Sequence, residues 1–163
     1  MPECAIKELE ALRLPPGTSV LNPIDTNALT LRVEEGRIAE RILDIVIASA
    51  RPDAIVVHLN LPMFMQATDQ RVDFLQNIVD AAIRCRARSP DGTHFALVLR
   101  SDGSEAVDRR RRDFRTLAAS AGIPVYDEMS NVADALAGIA FHERFAVGRL
   151  TGQQFEARRP GGH

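Results

Sequence analysis

The residues of this 163-residue chain best suited to chemistry gather where apolar runs end. Arg100 closes one such run and is followed by Ser101, Asp102, Gly103 and Ser104. A guanidinium at a strand end, with small residues leading into a helix, has the chemistry to grip a phosphate or carboxylate. The same Ser/Asp/Gly segment also reads as an ordinary helix cap, with Asp102 paired to Arg100. His58 lies at the end of a second run, where a neutral imidazole would bind or relay a proton. No carboxylate or cysteine stands near it at ligand spacing, so a packed, hydrogen-bonded histidine is the competing reading. Asn22 and Asp25 flank Pro23 and Ile24, and either reach a ligand or shape the loop.

Other candidates lead elsewhere. Arg109 to Arg112 and Arg115 are basic, but consecutive residues point around most of a helix and form no stripe. With no aromatic interleaving and a net charge of -2, a solvated face or subunit contact is expected, not a nucleic-acid surface. Met63, Phe64 and Met65 form a small apolar loop, read as local packing with partner docking as the alternative. Cys4 and Cys85 are far apart and lack a CxxC partner, which suits two free thiols in a reducing compartment and no metal. No residue is assigned a catalytic role.

The elements that must position these residues alternate. Short helices are expected over Ala5–Leu14 and, with Ile38, Ile42, Ile45 and Val46 on one face, over Glu35–Ala50. Ser19–Ile24 reads as a short strand. Ala54–Leu59 and Phe95–Arg100 are β-branched and almost wholly apolar, as strands buried on both faces require. Asp69–Arg88 and Ser104–Ala121 read as helices, the second capped by Gly122. Ser89-Pro90-Asp91-Gly92 is a turn, Ile123–Tyr126 a short strand, and a last helix begins at Ser130. From Gly148 the composition turns to Gly, Gln, Arg and Pro, so 1–147 is expected as one domain and 148–163 as a tail or linker.

This alternation predicts an α/β fold with a parallel sheet and helices on both faces. Ligands of such sheets sit at the carboxyl ends of the strands, near a topological switch point. The loops Asn22–Asn27, His58–Met65 and Arg100–Ser104 would then form the site. No apolar run approaches the roughly 20 residues of a membrane span, and the N-terminus has no secretory character, so a cytoplasmic protein is expected.

Four segments in order carry a family resemblance. Leu14-Pro15-Pro16-Gly17 through Asn22-Pro23-Ile24-Asp25 resembles the "LP…NPVD" stretch of NDP-forming acyl-CoA synthetases. Arg51-Pro52-Asp53-Ala54-Ile55-Val56-Val57 is similar to their "dp-vDavlv" strand. Ala96-Leu97-Val98-Leu99-Arg100 resembles the "PVVVRL" strand of the related succinyl-CoA ligase β-subunit. Ala121-Gly122-Ile123-Pro124-Val125-Tyr126, with Asn131 to Leu136, is similar to the family's "aGiPvy…Aa.Al" ending. The resemblance spans residues 14 to 145, approximately.

The resemblance implies the second flavodoxin-like ligase domain of that superfamily, a three-layer parallel sheet. The complete enzyme converts acyl-CoA, NDP and phosphate to acid, CoA and NTP, with phosphate carried on a histidine. The implied partners are CoA-binding and ATP-grasp domains or subunits, with a homo-oligomer as a further partner state. No cofactor is expected on this chain alone; CoA and ATP/ADP belong to the complete enzyme. Asn22, Asp25, His58, Arg100 and Ser101 are the residues such a domain would offer to those ligands.

Several family features are missing. None of the histidines has the Ser-His-Thr-Gly-like setting of the phosphohistidine. Asn60-Leu61-Pro62-Met63 stands where the β-subunit has a Gly-Gly pair, removing the freedom that lets backbone approach phosphate. The chain starts too late for the family's Gly-rich first strand. Either the remaining strands close that gap, another chain fills it, or the sequence is a piece of something longer. The expected role is to shape a phosphate-transfer site and subunit contacts without independent catalysis. A regulatory protein-interaction module, or a small anion- or CoA-binding protein, is the alternative.

Overall fold

Two seven-residue apolar runs find each other along their whole length. In the computed structural model, which describes residues 1–27, 30, 33–67, 72–89 and 92–150, they are β1 (Ala54–Asn60) and β2 (His94–Arg100). They pair in parallel, from Ala54 beside His94 to Asn60 beside Arg100. A two-residue strand, β3 (Val125–Tyr126), adds in parallel to the other side of β2 at Leu97 and Val98. The sheet order is β1-β2-β3. The direction of pairing follows from the connections, because each strand is joined to the next through a helix and not a tight turn.

Helices α1 (Glu3–Ala11) and α2 (Ile38–Ile45) precede the sheet. Helices α3 (Leu61–Ala67) and α4 (Phe74–Arg88) join β1 to β2, and α5 (Glu105–Ser120) joins β2 to β3. The last helix, α6, runs Met129–Leu150. Alternation along each strand then sends successive side chains to opposite faces. On one face Ile55, Leu59, Phe95, Leu97 and Leu99 pack with Ile78 and Ala82 of α4, Phe114 and Ala118 of α5, and Leu43 of α2. On the other, Ala96 and Val98 pack with Val132 and Leu136 of α6, beside Val56 and Tyr126. The result is a three-layer α/β architecture of flavodoxin-like type.

Several boundaries move, each for a local reason. Glu34 and Glu35 adopt left-handed backbone, so the second helix starts at Ile38 and not Glu35. Its end widens into a π turn over Val46–Ala50, closed by left-handed Arg51. Asp73 accepts the Gln76 N–H at 2.9 Å as the N-cap, so α4 begins at Phe74 and not at the expected Asp69. Gly122, at φ 72°, ends α5 as expected, with the Ile123 N–H returning to the Ala118 carbonyl at 2.9 Å. The expected turn at 89–92 falls partly, and the tail beyond 150 wholly, outside the described residues. Gly148 to Leu150 themselves belong to α6.

Two expectations are corrected. Ser19–Ile24 is not a strand of the sheet: Ser19 and Asp25 exchange backbone hydrogen bonds at 2.9 and 3.1 Å across an isolated antiparallel bridge. Val20 and Ile24 pack instead with Leu9 of α1 and Ile38 and Ile42 of α2, a cluster separate from the sheet core. Nor is β1 buried on both faces. It is an edge strand, its outer side unpaired by any strand among the described residues. Helix α6 packs over β2 and β3, leaving Val56 half-buried and His58 exposed.

The two strands therefore differ in what a truncation costs. Leu97 is fully enclosed, and Leu97→Ala is expected to lower unfolding free energy by about 3 kcal/mol. Val56→Ala removes less enclosed surface and should cost less than about 1 kcal/mol. Urea unfolding of the two variants checks the ordering; equal losses would mean that β1 is covered on both faces.

Candidate functional site

The carboxyl ends of β1 and β2 carry the polar groups. Strand alternation and the observed register place His58, Asn60 and Arg100 on one face. Asn60 and Arg100 are register partners on adjacent strands, and His58 stands two residues back along β1. His58 and Arg100 are exposed. Neither makes a side-chain hydrogen bond or ion pair among the described residues. With Asn60 they form a small polar shelf at the carboxyl ends of β1 and β2, with Arg100 as its fixed charge.

The segment after Arg100 is occupied with its own turn. The Ser101 hydroxyl donates to Asp108 Oδ1 at 2.6 Å and accepts the Gly103 N–H at 3.0 Å. Asp102 accepts the Ser104 N–H at 2.9 Å, and that bond holds its carboxyl below the usual carboxylate range. Asp102 is thus tied to the turn and not to Arg100. Asp102, Glu105 and Asp108 together place negative charge at the start of α5, where the helix dipole would otherwise attract an anion. Arg100 is therefore the one anion-facing group of this segment.

The structure brings His58 and Arg100 together and leaves Asn22 and Asp25 on the separate Ser19–Asp25 turn. Both of these side chains are exposed, and the Asn22–Pro23 peptide bond is cis. The expected loop at His58–Met65 does not form. Strand β1 runs straight into α3, with Leu61 fully buried and Phe64 in the core. Met63, Phe64 and Met65 are helical residues. The arginines of α5 are largely paired: Arg109 with Glu105, Arg110 with Asp73, Arg111 with Asp108 and Asp127, and Arg115 with Asp127. Arg110 also lies 4.3 Å from the centre of the Phe114 ring.

Sequence reasoning missed Asn60, which only the strand register reveals, and a charge cluster between α2 and α4. Glu40 accepts from Arg84 at 2.7 Å and from Arg88 at 2.8 Å, and Arg88 also reaches Asp44 at 2.9 Å. Cys85 lies beneath, its Sγ 3.4 Å from Asp44 Oδ1 and 3.6 Å from Arg88 Nη2. The signal was present as Glu40 and Asp44 four apart on one helix, with Arg84 and Arg88 four apart on another.

Glu40, Asp44 and Cys85 bring ligand atoms within 4.8 Å of one another. Arg88 already supplies the positive charge between them. Burial first, then the Asp44 charge and hydrogen bond, push the Cys85 thiol up to about 12. With Arg88 bonded to Glu40, Asp44 and the Cys85 Sγ, the group is a clamp between two helices.

No family model matches the chain, and no curated protein or solved structure matches it. What the fold and site define is a class: a three-layer α/β domain with, among the described residues, one unpaired sheet edge and a polar shelf at its strand ends. No helix among the described residues is long and apolar enough to cross a membrane.

The clamp yields two expectations. The Arg84 hydrogen bond lowers the Glu40 pKa below 4.5. A depressed folded pKa adds stability that is present above the unfolded value and lost as pH falls through the folded one. Glu40→Gln should thus cost about 1 kcal/mol at pH 7, with the gap to the parent closing as pH falls below 4.5, followed by urea unfolding across that range. A second measurement concerns the thiols: exposed Cys4 should react with a thiol reagent in the native protein and buried Cys85 only after unfolding. Two equally fast thiols would rule out the clamp.

Proposed function

We propose that the chain is a ligase-type docking domain of an NDP-forming acyl-CoA synthetase-like assembly. In this reading it shapes a phosphate-transfer site completed by CoA-binding and ATP-grasp partners, and does not catalyse alone. One observation carries the reading. A ligand crevice in an open parallel sheet arises where the strand order reverses. Among the described residues the order β1-β2-β3 does not reverse, and α4 and α5 pack on the same face of the sheet. A crevice at the strand ends therefore needs a further strand beyond β1, and His58, Asn60 and Arg100 stand beside that edge. The resemblance of the four segments supports the choice of assembly.

The missing glycines favour one other reading, a ligase fold retained as a regulatory interaction module. With β1 passing directly into α3, that strand end has no glycine loop to offer its backbone to a phosphate.

Affinity purification of the full chain from its native cells should recover subunits with CoA-binding and ATP-grasp folds. A Val56→Lys variant, folded by circular dichroism, should release them. The isolated chain should show no thermal shift with CoA, ATP or phosphate, because a ligand bound to the native state alone raises stability by mass action. Shifts of several degrees would indicate a stand-alone binder. A specific complex that survives both Arg100→Ala and His58→Ala would favour the regulatory reading, and recovery of neither subunit would dismiss the assembly.

A further inference from the structure

A cleft of about 120 Å³ opens at the opposite end of the sheet, near the amino ends of β2 and β3. Its walls are Ala96 from the sheet and Val132, Leu136 and Ile139 from α6. Its polar side chains are Arg86, Thr93, His94 and Tyr126, and the Thr93 hydroxyl already donates to the Pro52 carbonyl at 3.1 Å. Ala96 and Val132, 3% and 1% exposed, pack on each other and close the floor, so Leu136 and Ile139 give the accessible apolar wall.

Arg86 is the telling residue. It sits in the last turn of α4 between Arg84 and Arg88 in sequence. Those two arginines turn toward the acids of α2. Arg86, two residues from each, points the other way round the helix and lines the cleft, half-buried. Among the described residues it has no carboxylate partner. The Tyr126 hydroxyl likewise has no hydrogen bond among them. His94 differs, because its Nε2 lies 2.9 Å from Glu143 Oε1. That carboxylate is thus drawn to the imidazole and does not neutralise Arg86.

We propose that this cleft binds a carboxylate carrying a short branched apolar group. The guanidinium of Arg86 takes the carboxylate at the rim through its paired N–H donors. The apolar group lies against the half-buried Leu136 and Ile139, over a closed floor of Ala96 and Val132. The volume sets the size: a cavity of about 150 Å³ admits benzene, so a branched chain of about five carbons fills this one. The chemistry is shared by a free short-chain acid and by the C-terminal residue of a peptide. The cleft lies away from the open β1 edge, so this inference goes beyond the docking role and does not rest on it.

Nitrogen-15 NMR titration of the full chain separates the outcomes, with isovalerate, N-acetyl-leucine and 3-methylbutanol as probes. Saturable shifts at His94, Ala96, Val132 and Ile139 are expected with a carboxylate, at a Kd of roughly 0.1–1 mM. The alcohol should bind at least about tenfold more weakly, and Arg86→Gln should weaken the acid by a similar factor. Ile139→Phe, which fills the cleft while keeping Arg86, should also abolish binding, and the same spectra show that each variant is folded. Binding of isovalerate alone assigns the cleft to free acids, and binding of N-acetyl-leucine alone to peptide ends. No saturable shift by about 20 mM, equal binding of the alcohol, or an unaffected Arg86→Gln would overturn the proposal.

Discussion

The parallel register between β1 and β2 is the constraint on which everything else hangs. Seven residues of each strand lie side by side, from Ala54 and His94 to Asn60 and Arg100. A shift of one residue would turn Ile55 and Leu59 away from α4 and send Val56 and His58 into the core. Burial of Phe95, Leu97 and Leu99 on one face and of Ala96 and Val98 on the other forbids that slip. The same register decides which polar groups meet at the strand ends. His58, Asn60 and Arg100 share a face because the apolar residues must take the opposite one or shelter under α6.

The helical layer is held by two kinds of force. Packing of α4 and α5 against the sheet supplies the apolar burial, centred on Ile78, Ala82, Phe114 and Ala118. The α2–α4 contact adds the clamp of Glu40 and Asp44 with Arg84 and Arg88. Charges this exposed contribute modestly to stability, but they set how the helices face each other. They also explain why Arg86, between two committed arginines, faces a different part of the molecule. Covering of the sheet is unequal. Helix α6 packs on β2 and β3, so β1 keeps a half-covered face and, among the described residues, an unpaired outer side. An unpaired edge of seven residues without proline or lysine is a template for pairing with another strand.

Much of this was legible in the chain. The two long apolar runs, the capping glycine at 122 and the helix over 105–120 follow from residue type and spacing, which act locally. The parallel direction of β1 and β2 was also readable, since a helix-forming stretch separates them. Other features were not. Ser19–Ile24 has the composition of a short strand, yet Val20 and Ile24 found a cluster on α1 and α2. Met63, Phe64 and Met65 read as a loop after Pro62, but proline is tolerated in a first helical turn, and burial of Leu61 and Phe64 drew the segment into α3.

The candidate sites divide along the same line. The sequence by itself determined that Arg100 and His58 would stand at strand ends, because strand length and the alternation of side chains depend only on nearby residues. Only the tertiary structure decided that Asn60 joins them, that Ser101 and Asp102 serve their own turn, and that Arg86 meets Tyr126 and α6 across a cleft. Those outcomes depend on register and on the unequal covering of the two faces. Both are set by contacts between segments distant in the chain, where no local pattern records which surface is left uncovered.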